Sequence, residues 1–262
     1  MVALNNTVAI RETAKAGART RKLNLFDSWM KMMSPITLLF DIDGTLMRAG
    51  GAGLKAIGQV MNEMFGASQS IEMRVHGRTD NGILTEIFET HSLSFDEHRD
   101  EFSQRYWDRL PETLNESPAV ILPGVSSLLD ECHRRDDISM GILTGNSKRA
   151  AEIKLQHFGI EHFFEFGGYG DFHSSRNDVA ALARSSAESF LGARFEPSTL
   201  WVIGDTVNDI TCARSIEANV VAVETGGGSR QELAQAKPDL QFESFEDHAS
   251  FVSQVTAVRR SV

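Results

Sequence analysis

A chain of 262 residues with 41% hydrophobic and 24% charged positions can bury one sizeable core plus a smaller satellite. Its formal charge of -10 excludes a general affinity for nucleic acid or anionic lipid. No apolar stretch reaches the roughly 20 residues of a membrane span, and residues 1–34 lack the apolar block of a secretory signal, so a cytoplasmic location is expected.

The first 34 residues are basic: Arg11, Lys15, Arg19, Arg21, Lys22 and Lys31 against Glu12 and Asp27, a net +4 that leaves -14 on the remainder. Such a segment reads as a disordered extension, an organelle-targeting peptide, or sequence ahead of a start at Met32 or Met33. Its poverty in serine and its two acids disfavour targeting. An apolar run at 36–40 predicts a buried strand. From 47 to 118 no buried strand is legible, only helical stretches around 54–65, 81–90 and 97–114. That length is too great for a loop in a compact domain, so a helical domain is expected as an insertion, entered through Gly50, Gly51 and Gly53 as a hinge.

The alternation then becomes regular. Helical periodicity at 125–135, 148–158, 178–191 and 207–217 separates strand-like runs at 138–143, 163–166, 200–203 and 220–223. This is the pattern of a doubly wound α/β fold with a parallel sheet, its core formed by 35–46 and 119–262. Cys132 and Cys212 make no disulfide framework and read as packed thiols.

Three strands end in polar clusters: Asp41-Ile-Asp43-Gly44-Thr45, Thr144-Gly145-Asn146 and Gly204-Asp205-Thr206. Ligands of open parallel sheets bind beyond the carboxyl ends of the strands, so the three clusters are expected to share one crevice. Two aspartates at i and i+2 present both carboxylates to that crevice only if the chain is already turning, which Gly44 permits. One carboxylate can then attack while the other reaches the leaving oxygen. Asp205 crowds the same site, and such carboxylates repel one another unless a cation sits among them. Oxygen-only ligands suit magnesium. Asp209, one helical turn on, either serves the metal or orients Asp205.

These residues carry a resemblance. Phe40-Asp-Ile-Asp-Gly-Thr-Leu46 resembles the first motif of the haloacid-dehalogenase superfamily, Leu143-Thr-Gly-Asn146 the second, and Gly204-Asp-Thr-Val-Asn-Asp209 the fourth, in the right order and spacing. The inserted interval resembles the helical cap of phosphoglycolate-phosphatase-like members. The resemblance covers residues 36 to about 245 and implies a Rossmann-like core and a magnesium-dependent phosphatase acting on a small phosphate ester. It implies that Asp41 attacks phosphorus and that Asp43 serves as general acid and base. Magnesium would be held by Asp41, Asp205 and the main-chain carbonyl of Asp43, with Asp209 completing the acidic set, and Thr144, the Gly145 amide and Asn146 would meet the phosphate. Dehalogenases lack the second acid of the first motif, whereas Asp43 is present here.

The family's usual third-motif lysine is absent. That region reads Asp171-Phe-His-Ser-Ser-Arg176-Asn, so Arg176 is the expected phosphate cation, with a guanidinium fork in place of an ammonium. Lys154 is the alternative, but it lies two turns past Thr144, a geometry expected to point it away from the crevice. In His76-Gly77-Arg78-Thr79-Asp80, Thr79 reads as a helix cap and Arg78 as either a substrate contact or a surface arginine. Other histidines show no ligand spacing, and Gly167-Gly-Tyr-Gly170 is a weak dinucleotide signal. A phosphomutase and a protein that is merely phosphorylated remain the rival functions. Neither substrate nor oligomeric state is legible.

Overall fold

The computed structural model describes residues 34–67, 73 and 75–257, so the expectations for the basic segment 1–33 lie outside the described residues. The strands are β1 (Ile36–Phe40), β2 (Met47–Arg48), β3 (Val120–Ile121), β4 (Ile138–Leu143), β5 (Phe166–Gly168), β6 (Leu200–Gly204), β7 (Asn219–Val223) and β8 (Leu240–Phe242). The helices are α1 (Ala52–Phe65), α2 (Asp80–Thr90), α3 (Phe95–Glu116), α4 (Val125–His133), α5 (Lys148–His157), α6 (Arg176–Leu191), α7 (Val207–Ser215), α8 (Arg230–Gln235) and α9 (His248–Ala257). Among the described residues no helix is long and apolar enough to cross a membrane.

Six strands form one parallel sheet in the order β5-β4-β1-β6-β7-β8. A parallel sheet is covered on both faces, which is why its strands read as continuous apolar runs. Along β1 the pleat sends Leu38 and Phe40 to one face and Leu39 to the other. The first face packs with Leu128 and Leu129 of α4 and Phe251 and Val255 of α9; the second packs with Val179 and Ala183 of α6 and Ile210 and Ala213 of α7. Phe40 is fully buried and meets Phe164 and Phe245 edge-on at 6.1 and 6.5 Å, a burial that contributes roughly 1.5–3 kcal/mol.

The chain adds β4 and β5 on one side of β1, then crosses to add β6, β7 and β8 on the other, so the order reverses at β1. Phe40 is level with Ile142 on one side and Ile203 on the other. The residues that follow these positions, Asp41, Thr144 and Asp205, therefore emerge together at the reversal point, where ligand crevices of such sheets lie.

Between β1 and β4 the chain builds α1, α2 and α3 around a separate cluster that includes Val60, Phe88, Phe102 and Leu110. The excursion leaves and returns through an antiparallel pair, Met47 opposite Ile121 and Arg48 opposite Val120, with Gly50 and Gly51 leading into α1. Thr79 caps α2 as expected, its hydroxyl accepting from the Gly82 amide at 3.1 Å.

Three sequence expectations need correction. The strand expected at 163–166 is displaced: residues Glu161–Phe163 form a 3-10 turn and pairing begins at Phe166, whose ring covers Gly141 on β4. Most of the apolar run there fills the core, and only its end joins the sheet, the Glu165 amide donating to the Met140 carbonyl at 3.1 Å and Phe166 pairing with Gly141. Helix α6 starts at Arg176 rather than at 178, which puts that guanidinium at the helix entrance. Beyond β7 the expected strands stop short, because α8 and β8 are too brief to show a period.

Candidate active site

Asp41 still belongs to the sheet through its backbone, its amide donating to the Ile203 carbonyl at 2.9 Å. The chain then turns at Gly44, whose amide donates to the Met47 carbonyl at 2.7 Å and whose φ is +89°. A side chain at Gly44 is excluded twice, by that left-handed backbone and because a Cβ would lie 2.5 Å from Asp205 Oδ2. The turn brings the first cluster against the end of β6.

There Asp41, Asp205 and Asp209 are buried with carboxylate oxygens within 4.8 Å of one another. Burial, followed by the nearby Asp209 and Asp41 charges, pushes Asp205 up to about 8 against the opposing bonds of Gly227 and Thr45. The Gly227 amide donates to Asp205 Oδ2 at 2.5 Å and the Thr45 hydroxyl to Oδ1 at 3.2 Å. Burial also raises Asp41, to about 6, partly offset by Arg176. Asp209 is spoken for on both oxygens: Oδ2 closes a capping box with the Thr206 amide at 2.9 Å and hydroxyl at 2.7 Å, and Oδ1 accepts from Arg176 at 2.5 Å.

Two cations serve this floor. Arg176, buried at the start of α6, places Nη2 3.0 Å from Asp41 Oδ1 and 2.5 Å from Asp209 Oδ1 and donates to the Leu143 carbonyl at 3.3 Å. Its Nε is buried without a partner among the described residues. Lys154, equally buried, does not point away as expected: its Nζ donates to Asp43 Oδ2 at 2.6 Å and to Asn146 Oδ1 at 2.7 Å. Helical side chains lean toward the helix N-terminus, which here abuts the crevice.

Asp43 therefore stands apart from the acidic cluster, its carboxylate held by Lys154 and by Asn146 Nδ2 at 2.7 Å. Burial would raise its pKa, but the Lys154 charge, the two hydrogen bonds and nearby His76 outweigh it and hold the carboxyl below its usual range. Asn146 spends its amide on Asp43, Lys154 and the Thr144 hydroxyl, 2.8 Å away, and so ties these groups together at the cavity that it also lines.

The match to known proteins follows this geometry. Residues 38–223 match the family described as haloacid dehalogenase-like hydrolase. The chain belongs to this family. A phosphoglycolate phosphatase from Synechococcus elongatus is 32% identical over 141 residues, covering 53% of this chain and 62% of that protein, so the chain spans less than two thirds of the relative's length. A phosphoglycolate phosphatase from Photorhabdus laumondii is 26% identical over 82% of this chain and 91% of its own. Among solved structures, CbbY from Rhodobacter sphaeroides in complex with phosphate superposes with a TM-score of 0.63 at 19% identity over 81% of this chain and 96% of its own, a likeness of fold.

Other motif residues of this haloacid dehalogenase-like hydrolase are distributed unevenly. Thr144 is fully buried at the crevice, and Gly145 is clamped so closely that a Cβ would fall 2.0 Å from the Arg78 carbonyl. The Arg78 guanidinium binds Glu86 at 2.6 Å and the Gly82 carbonyl at 3.3 Å on the helix that follows it, and Arg78 also lines the cavity. Asp80, unmarked in the sequence, accepts from the Ser147 amide at 2.8 Å and ties α2 to the second cluster. Also unmarked was Gly226-Gly-Gly228: a Cβ at Gly226 would lie 1.9 Å from Asp205 Oδ2, and the glycine run itself was the available signal. Over this floor, between the sheet and the helical insertion, lies a cavity of about 540 Å³.

The donor set fits a hard divalent cation. The cluster offers oxygens alone, one guanidinium touches two of its three carboxylates, and burial disfavours their ionised forms unless positive charge is added. With Asp209 committed to Arg176 and Thr206, Asp41 and Asp205 are the carboxylates with room to ligate.

Proposed function

We propose that this protein is a magnesium-dependent phosphatase that hydrolyses small phosphate monoesters through a phospho-aspartate on Asp41. The observation that carries the reading is the placement of Asp41: buried at the end of the central strand, beside Arg176, and facing the cavity. The names of the two curated relatives support the reaction class. On this reading residues 47–118 form the cap that closes the cavity, with the core at 35–46 and 119–262.

An oxygen of Asp41 attacks phosphorus and the ester P–O bond breaks, the leaving oxygen taking a proton through Asp43. Lys154 keeps Asp43 ionised in the free protein. An ester monoanion, abundant near its second pKa of about 6, brings the proton Asp43 needs. Asp43 then takes a proton from water, whose oxygen attacks phosphorus and releases phosphate and free Asp41. Arg176 holds Asp41 in line and supplies charge to the transferring group, with Thr144 and the Gly145 amide beside it. Magnesium, held by Asp41 and Asp205 with Asp209 behind them, would offset the repulsion between carboxylate and phosphate.

The test is phosphate release from 4-nitrophenyl phosphate with magnesium, in the wild type and in Asp41→Asn. Sustained release by the wild type and none by the variant is expected. Transfer only to added sugar phosphates would replace the reading with a mutase, and turnover by Asp41→Asn within tenfold of wild type would remove the nucleophile.

A further inference from the structure

The cavity changes character with distance from the acidic floor. Near the sheet it is lined by Asp41, Asp43, Lys154 and Arg176, whereas the insertion presents an apolar patch of Leu54, Ile57, Met73, Val75 and Ile83, with a few polar residues beside it. Hydroxyl groups laid against that apolar patch lose their water partners without replacement, a cost a polyol would meet at several positions. At about 540 Å³ the space lies within the range, roughly 300–1,000 Å³, that encloses ring-bearing ligands, and a two-carbon ester would leave most of it empty.

Among the polar groups that the insertion adds to the lining, Arg48 donates to the Thr225 carbonyl, Arg78 pairs with Glu86, Asp80 accepts from the Ser147 amide and His76 stands near Asp43. Tyr106 of α3 borders the cavity, is 2% exposed, and its hydroxyl has no hydrogen bond to any described residue. Buried hydroxyls are paired in the great majority of cases, so one that faces a cavity unpaired is available to a ligand. Its neighbours set its orientation: α3 packs on α1 through Phe102 and Leu110, and Trp107 donates to the Ser147 hydroxyl at 3.1 Å, which fixes the phase of the helix over the crevice.

We infer that the substrate is the phosphate monoester of a largely apolar, ring-bearing alcohol that presents a single hydrogen-bonding group to the Tyr106 hydroxyl. This rests on the phosphatase reading above and narrows its substrate class. The phosphate occupies the charged floor, the ring lies against Leu54, Ile57 and Ile83, and the polar group reaches Tyr106.

The experiment compares kcat/KM of the full chain with magnesium on four esters of primary alcohols, which keeps leaving-group acidity similar: phosphoglycolate, glucose 6-phosphate, 2-phenylethyl phosphate and its para-hydroxy counterpart. The two aryl-alkyl esters are expected to exceed the first two by about tenfold or more, and the para-hydroxy ester to exceed its parent by about 2- to 10-fold, the usual worth of one hydrogen bond. In Tyr106→Phe the ratio between the two aryl-alkyl esters should fall to near one. Preference for phosphoglycolate or glucose 6-phosphate overturns the inference and leaves the phosphatase reading intact. An unchanged ratio in Tyr106→Phe overturns the role of Tyr106. Release from none of the four, nor from 4-nitrophenyl phosphate, defeats the phosphatase reading and the inference with it.

Discussion

Arg176→Ala tests the electrostatic arrangement most directly. The guanidinium is 8% exposed and one of its nitrogens serves Asp41, Asp209 and the Leu143 carbonyl together. Removing it strands two buried carboxylates, and breaking a buried pair in this way costs about 3–5 kcal/mol. If the same contact acts on the transferring phosphoryl group, that energy corresponds to a loss of about 10² to 10³ or more in kcat/KM. Asp41, already raised to about 6 by burial, loses the charge that lowers it and climbs further, so the residual rate should rise as pH is taken above neutrality. Arg176→Lys keeps one charge without the fork and should recover part of both stability and rate. The assay is steady-state phosphate release over a pH series, with urea unfolding of each variant to separate lost fold from lost chemistry. A folded Arg176→Ala protein within tenfold of wild type would refute the reasoning.

Lys154→Met removes the cation that holds Asp43 below its usual range, so the pH–rate limb governed by Asp43 should move upward while Asp41 is untouched; an unmoved limb would detach Lys154 from the acid–base step. Gly226→Ala sets a methyl where Asp205 Oδ2 lies and should raise the magnesium concentration for half-maximal stabilisation at least tenfold, read by thermal unfolding with and without metal; an unchanged titration would remove Asp205 from the metal. In metal-free protein Asp41 and Asp205 have folded pKa values of about 6 and about 8, above the ordinary carboxylate value. Their contribution is therefore full below about pH 4 and is lost as pH rises through 6 and 8, so the urea midpoint in chelator should fall between about pH 5 and 8 and magnesium should restore it most at the upper end. A flat midpoint would count against the buried acid cluster.

Strand identity and the shared crevice were legible because a parallel sheet buries both faces: the runs at β1, β4 and β6 are nearly continuous, interrupted only by Thr37 and Ser139, and each ends abruptly in polar residues. Thr79 was legible as a cap because its hydroxyl answers a local need of α2. What failed was direction. Lys154 lies about 9 Å along α5 from its first residue, and distance alone would remove it from the site. The tilt of helical side chains toward the N-terminus, together with a four-carbon stem, returns its ammonium to Asp43. Likewise, spacing could place four aspartates near one another but could not say that Asp43 would pair with a lysine while two of the other three share an arginine. Those pairings depend on the phase of α5 and on α6 beginning at Arg176, boundaries that sequence places only to within one or two residues.

The two pairings leave the free protein with its carboxylates in an order that catalysis must reverse. Asp41, the proposed nucleophile, is raised, whereas Asp43, the proposed acid, is held ionised by Lys154. On the proposed mechanism, phosphate entering between Arg176 and Lys154 would act on both at once. Its charge competes with Asp43 for the Lys154 ammonium, which weakens the bond that keeps Asp43 ionised and lets it carry the proton toward the leaving oxygen. After the alcohol departs with that proton, Asp43 is again a carboxylate and a partner for the Lys154 ammonium, and in this ionised state it would take a proton from water while the phosphoryl group remains on Asp41. On the proposed mechanism Lys154 would favour the ionised Asp43 before and after the proton passes to the leaving oxygen, and Asn146 Oδ1, 2.7 Å from its Nζ, would keep the ammonium seated while the carboxylate contact is loosened. Asn146→Ala should therefore slow both half-reactions, and slowing of only one would show that Lys154 needs no such seat.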